Sequence, residues 1–102
     1  MKCTYEEYVK IFKALSDETR LRIVGMLSDT VLCACKILES FNITQPTLSY
    51  HMKILCNSGL VNGRRDGAWM KYTINREKLE AIREFINNLG TAKIPDQNEN
   101  CC

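Results

Sequence analysis

A mainly α-helical domain carrying one β-hairpin is the fold class predicted by this chain of 102 residues. Three observations carry it. Apolar residues recur at helical spacing along most of the chain up to Asn57, and again from Leu79 to Leu89. Between these stretches, Leu60 to Ile74 is rich in strand-favouring residues and is interrupted by Asp66-Gly67, a strong hairpin signal. Residues that cap helices stand at the junctions: Ser16, Thr44 and Asn75.

Taken in order, Tyr5, Tyr8, Val9, Phe12 and Leu15 define an amphipathic first helix, with Glu6, Glu7, Lys10 and Lys13 between them. Ser16 is placed to cap a second helix, with Asp17 and Glu18 in its first turn, where the helix dipole favours negative charge. That helix should run to about Leu27 and bury Leu21, Val24 and Leu27. Thr30-Val31-Leu32 reads as extended, and a third helix follows from about Ala34 to Ser40 with Ile37, Leu38 and Phe41 inward. Asn42-Ile43-Thr44 is a tight connection to a fourth helix, which has Pro46 in its first turn, ends near Asn57 and stops at Gly59. Leu48, Met52 and Leu55 form its buried stripe. Asn75 caps a fifth helix with Leu79, Ile82, Ile86 and Leu89 at helical spacing. The domain is expected over residues 1–90, followed by a polar, flexible tail over 91–102 that contains Pro95 and ends in Cys101-Cys102.

Composition is that of a globular protein, with 45% hydrophobic and 25% charged residues. No run approaches the ~18–20 apolar residues of a membrane span, and no export signal opens the chain, so a cytoplasmic protein without a membrane partner is expected. The net charge of +2 is unevenly spread. From Asn42 to Arg76 five bases face Asp66 alone, a local +4, while the flanks are net acidic. A basic middle between acidic flanks fits a local nucleic-acid footprint.

The third and fourth helices, joined by a few residues, form a helix-turn-helix pattern, and the hairpin adds a wing. The open face of the fourth helix carries Thr47, Ser49, Tyr50 and Lys53, with Gln45 at its leading end. Gln45, Thr47, Ser49 and Tyr50 suit base edges and phosphates in the major groove, and Lys53 and His51 suit phosphate. For Tyr50 and His51, partial burial against the third helix is an equal alternative. Arg64 and Arg65 on the wing suit the neighbouring minor groove or its backbone.

Six cysteines in so short a chain fit either a disulfide scaffold or thiol chemistry. The missing export signal and the strong apolar periodicity favour metal binding or redox chemistry in a reducing compartment. Cys33 and Cys35 head the third helix, just ahead of the DNA-reading helix. Two residues apart on a helix, their side chains diverge by about 200°, so joint ligation of one ion is expected to unwind that turn. Burial as small helix-start residues is the competing reading.

Ala14 to Ile23 (ALSDETRLRI), Leu32-Cys33-Ala34-Cys35, Gln45 to Leu55 (QPTLSYHMKIL), Ser58-Gly59-Leu60-Val61 and Arg64-Arg65-Asp66-Gly67 together resemble the arsenic-repressor (ArsR/SmtB) family. The likeness covers about Tyr5 to Leu89. It implies a homodimeric winged helix-turn-helix repressor, dimerising through its first and fifth helices and released from double-stranded DNA at an inverted-repeat operator by a metal or metalloid. The expected inducer is arsenic(III) or antimony(III), with no organic cofactor and no enzymatic activity. A redox sensor, or a cadmium- or lead-responsive repressor, on the same scaffold is the alternative. The family's third-helix site often adds a cysteine three residues on, where this chain has Leu38. A third ligand is then sought among Cys3 (from the partner's N-terminal region, as in cadmium and lead sensors), Cys56, Cys101 and Cys102. Cys56, near the end of the reading helix, fits burial better. The tail pair completes the first site, forms its own, or does neither. The family's fifth-helix zinc site needs Asp, His and Glu, and the only histidine here is His51, on the fourth helix.

Overall fold

The computed structural model describes residues 3–91; the expected tail beyond Thr91, with Cys101 and Cys102, lies outside them. The elements follow in the order α1 (Tyr5–Leu15), α2 (Glu18–Met26), β1 (Leu32–Cys33), α3 (Ala34–Leu38), α4 (Gln45–Asn57), β2 (Val61–Asp66), β3 (Trp69–Ile74) and α5 (Arg76–Asn88). The strands form one antiparallel sheet in the order β1-β3-β2. Its register sets Leu32 opposite Tyr72 and Cys33 opposite Lys71 on one side of β3. On the other side, Arg64 lies opposite Lys71 and Arg65 opposite Met70. No helix among the described residues is long and apolar enough to cross a membrane.

Local chemistry fixes the boundaries. Thr4 and Glu7 make a reciprocal capping box on α1. The cap of α2 is Asp17, which accepts from the Arg20 N–H at 3.1 Å, and not Ser16. Ser16 closes α1 instead, its hydroxyl donating to the Lys13 carbonyl at 2.7 Å, so adjacent polar residues divide the two helix ends between them. Thr44 and Asn75 cap α4 and α5 as expected. α4 ends before Gly59, whose φ of +89° lies where glycine is favoured. α3 is shorter than predicted, ending at Leu38.

Two apolar clusters result. The larger joins Ala14, Ile23, Leu27 and Ile37 to the α4 stripe Leu48, Met52 and Leu55 and to Val61 and Tyr72 of the sheet. The smaller holds Tyr8, Ile11, Leu60, Ala81 and Ile82 between α1 and α5. Leu21, expected inside, is 55% exposed, and Ile23 is the fully buried residue of α2. Around the smaller cluster, Tyr5, Val9, Phe12, Ile86 and Leu89 are exposed, although their spacing marks them as one apolar face.

Candidate nucleic-acid interface and its thiol pair

The core stripe of α4 turns its opposite face outward. Gln45, Thr47, Ser49, Tyr50 and Lys53 are exposed, and Tyr50 shows 61% of its surface, so burial against α3 is not its role. The Thr47 hydroxyl accepts from Thr44 at 3.0 Å within the cap and keeps its own proton for a further partner. His51 is half-buried, and it packs on the start of α2 rather than on α3. Its Nδ1 lies 3.0 Å from Arg20 Nη1 and 4.0 Å from Asp17 Oδ2. Because a guanidinium only donates, Nδ1 must accept, which leaves the ring proton on Nε2. Arg20 Nε also donates to the Ala14 carbonyl at 2.7 Å. One side chain thus ties the end of α1 to α4, a role that the sequence reading did not find. No local pattern marks it, since His51 lies 31 positions from Arg20. The Arg20 N–H and guanidinium hold the Asp17 carboxyl below its ordinary value of 3.8.

The hairpin turn at Gly67 has φ of +65°, as a tight two-residue turn requires. Arg64 and Arg65 are both exposed, but strand alternation sends them to opposite faces. Arg65 shares a cleft with Gln45 and Ser49 of α4. Arg64 lies on the outer face beside Lys71, whose Nζ pairs with Asp66 Oδ2 at 2.9 Å. Gly63 passes so close to Tyr72 that a Cβ there would stand 2.9 Å from its ring.

Cys33 and Cys35 are half-buried with Cα atoms 5.4 Å apart, and their sulfurs are joined as a disulfide. The expected divergence does not occur. Cys33 belongs to β1 and has extended backbone (φ −81°, ψ 157°), so only Cys35 is inside the helix. The two sulfurs therefore meet without any unwinding of α3. Cys35 lines the cleft of about 370 Å³ that Gln45, Ser49 and Arg65 also border, together with Leu38, Met52, Trp69 and Met70. The other cysteines lie elsewhere. Cys3 borders a separate cavity with Tyr5, Tyr8 and Phe85, and its sulfur is 4.0 Å from Lys78 Nζ. Cys56 sits half-buried between α4 and the sheet, where burial pushes its thiol above the ordinary value. Among the described residues no three His, Cys, Asp or Glu side chains gather as a metal site.

A core-backed helix with a polar outer face, preceded by a short helix and flanked by a basic hairpin, defines a winged helix-turn-helix DNA-binding protein. The chain belongs to the arsR family of bacterial regulatory proteins, whose family model matches residues 17–63. It is 43% identical over 89 residues to the arsenical resistance operon repressor of Staphylococcus xylosus, covering 87% of this chain and 86% of that one. Among solved structures, the crystal structure of an ArsR family transcriptional regulator superposes with a TM-score of 0.76 at 25% identity, covering 85% of this chain and 90% of that one. The homodimeric winged helix-turn-helix domain of a possible ArsR-family regulator from Mycobacterium bovis, solved by NMR, gives 0.68 at 26% identity, with 81% and 75% covered.

Proposed function

We propose that this chain is a cytoplasmic, homodimeric transcriptional repressor that leaves an inverted-repeat operator when arsenic(III) or antimony(III) binds to its cysteine thiolates. One observation carries the reading: the two convergent sulfurs sit on elements joined to both DNA-facing parts. Cys33 is paired through β1 with Lys71 of the wing, and Cys35 borders the cleft between α4 and the wing. A ligand on this pair acts on both at once. The likeness to an arsenical resistance operon repressor supports the choice of inducer. The exposed apolar face of α1 and α5 supports dimerisation, as does the homodimeric neighbour. Gln45, Thr47, Ser49, Tyr50 and Lys53 read the major groove, and Arg64 and Arg65 grip from the wing. His51 orients α4 through Arg20.

The joined state of Cys33 and Cys35 favours one second reading, an oxidation sensor on the same scaffold. Fluorescence anisotropy of labelled DNA from upstream of the gene separates the two. Under reducing conditions, near-stoichiometric arsenite should release the DNA. The Cys33→Ser, Cys35→Ser double variant should bind DNA normally and ignore arsenite. Release by oxidant alone selects the sensor of oxidation, and arsenite-driven release in the double variant moves the site to other cysteines.

A further inference from the structure

We propose that the cleft between α4 and the wing is a second effector site, which takes a small aromatic carboxylate without using the thiols and competes with DNA. The competition rests on the reading of α4 and the wing as the DNA-facing surface. Arg65 is the one charged side chain that lines the cleft, and among the described residues no acid borders it. Leu48, Met52, Met70, Tyr72 and Trp69 make its apolar floor and walls, and Trp69 leaves 55% of its surface open. A concave, mostly apolar surface with a few polar groups on one side is the usual form of a small-molecule site. At about 370 Å³ this one stands at the small end of the range, with room for a naphthalene-sized group.

The polar side suits an anion. Arg65 presents a fork of N–H donors that matches a carboxylate in two parallel bonds. The Ser49 hydroxyl and the Gln45 amide border the same cleft, and all three side chains are exposed. Burial, with Cys56 beside it, pushes the Tyr72 phenol above its ordinary value of 10.0, while the Arg65 charge pulls the other way. The phenol therefore keeps its proton at neutral pH and adds a neutral donor near the cation.

DNA does not account for the whole of this surface. A backbone phosphate can take Arg65, but it brings nothing apolar for the floor. An aromatic carboxylate uses both parts. Its ring gains burial with ring–ring and sulfur–aromatic contacts at Trp69, Met52 and Met70, and its acid group takes Arg65. Such a ligand neutralises a wing arginine and stands against Gln45 and Ser49 of the reading helix. The cleft then serves the ligand at the expense of DNA.

The test titrates the reduced full chain by calorimetry with 2-naphthoate and, separately, with 2-naphthamide, an uncharged probe of the same shape. The acid should bind at least about tenfold more tightly than the amide, as a hydrogen bond to a charged group implies. Arg65→Gln should bring the two affinities together, and Trp69→Ala, at an exposed position, should weaken both probes alike. Equal affinities in the unaltered chain overturn the proposal, as does binding of neither probe at millimolar concentration. A preference for the acid that survives Arg65→Gln also overturns it, by placing the probe elsewhere. In a second arm, saturating 2-naphthoate should weaken the binding of labelled operator DNA at least about tenfold, followed by anisotropy at fixed salt. Unchanged DNA affinity with the cleft filled sinks the effector role. The calorimetric arm contains neither DNA nor arsenic, so its failure leaves the repressor reading standing, whereas failure of the operator to bind at all strikes that reading alone.

Discussion

The two ends of this molecule are built to different degrees of completion. Around α4 and the sheet, the large cluster closes on itself, with Ile23, Ile37 and Leu55 wholly out of solvent. Between α1 and α5 the small cluster is seated on Tyr8, Ile11 and Ile82, yet Tyr5, Val9, Ile86 and Leu89 around it each expose about half their surface or more. The first end holds itself together, and the second presents an apolar face that a second copy would cover. A domain this small gains from such cover, because it buries a modest share of its own surface.

The sharpest way to break the closed end is Leu55→Ala. It removes a fully buried side chain from the last turn of α4 and should cost about 2–5 kcal/mol in urea unfolding. A loss below 1 kcal/mol, on the order of a surface change, would show that the cluster is less tightly closed than its burial implies. Gly63→Ala comes next. Its methyl group must displace the Tyr72 ring, so a cost of about 1–3 kcal/mol is expected, read as a lower unfolding midpoint. A neutral result would mean that the wing shifts freely against the core. At the open end, Ile86→Glu places a charge on an exposed residue and should leave monomer stability within about 0.5 kcal/mol. In sedimentation equilibrium the same change should weaken the proposed dimer at least about tenfold, or about 1.4 kcal/mol. An unchanged association constant would place the interface elsewhere.

The same contrast explains what the sequence made legible. Periodicity located α4 with its buried stripe, and Asp66-Gly67 located the hairpin, because these signals are local. Periodicity alone does not say whether an apolar stripe meets its own chain or another, so for α1 and α5 the expectation of a dimer face came from the family resemblance. Leu21 misled for a related reason. It and Ile23 are both apolar positions of a nine-residue helix, too short for the period to choose between them. At the thiol pair, the start of α3 at Ala34 was legible, but the expected divergence treated Cys33 as part of the helix. With Cys33 in β1 rather than in the first helical turn, a pair expected to diverge converges. The Arg20 contact with His51 was out of reach, since the two residues lie 31 positions apart.

That arginine has a consequence for the spacing of a paired reader. In a dimer joined through α1 and α5, the gap between the two reading helices is set by how each α4 hangs from its own α1. Arg20 is a strut in that suspension, gripping the Ala14 carbonyl at one end and the His51 ring at the other. Two such struts, one per subunit, act as the gauge of a calliper. In the proposed dimer they would fix the separation at which the jaws meet successive turns of the duplex, and with it the operator lengths it accepts.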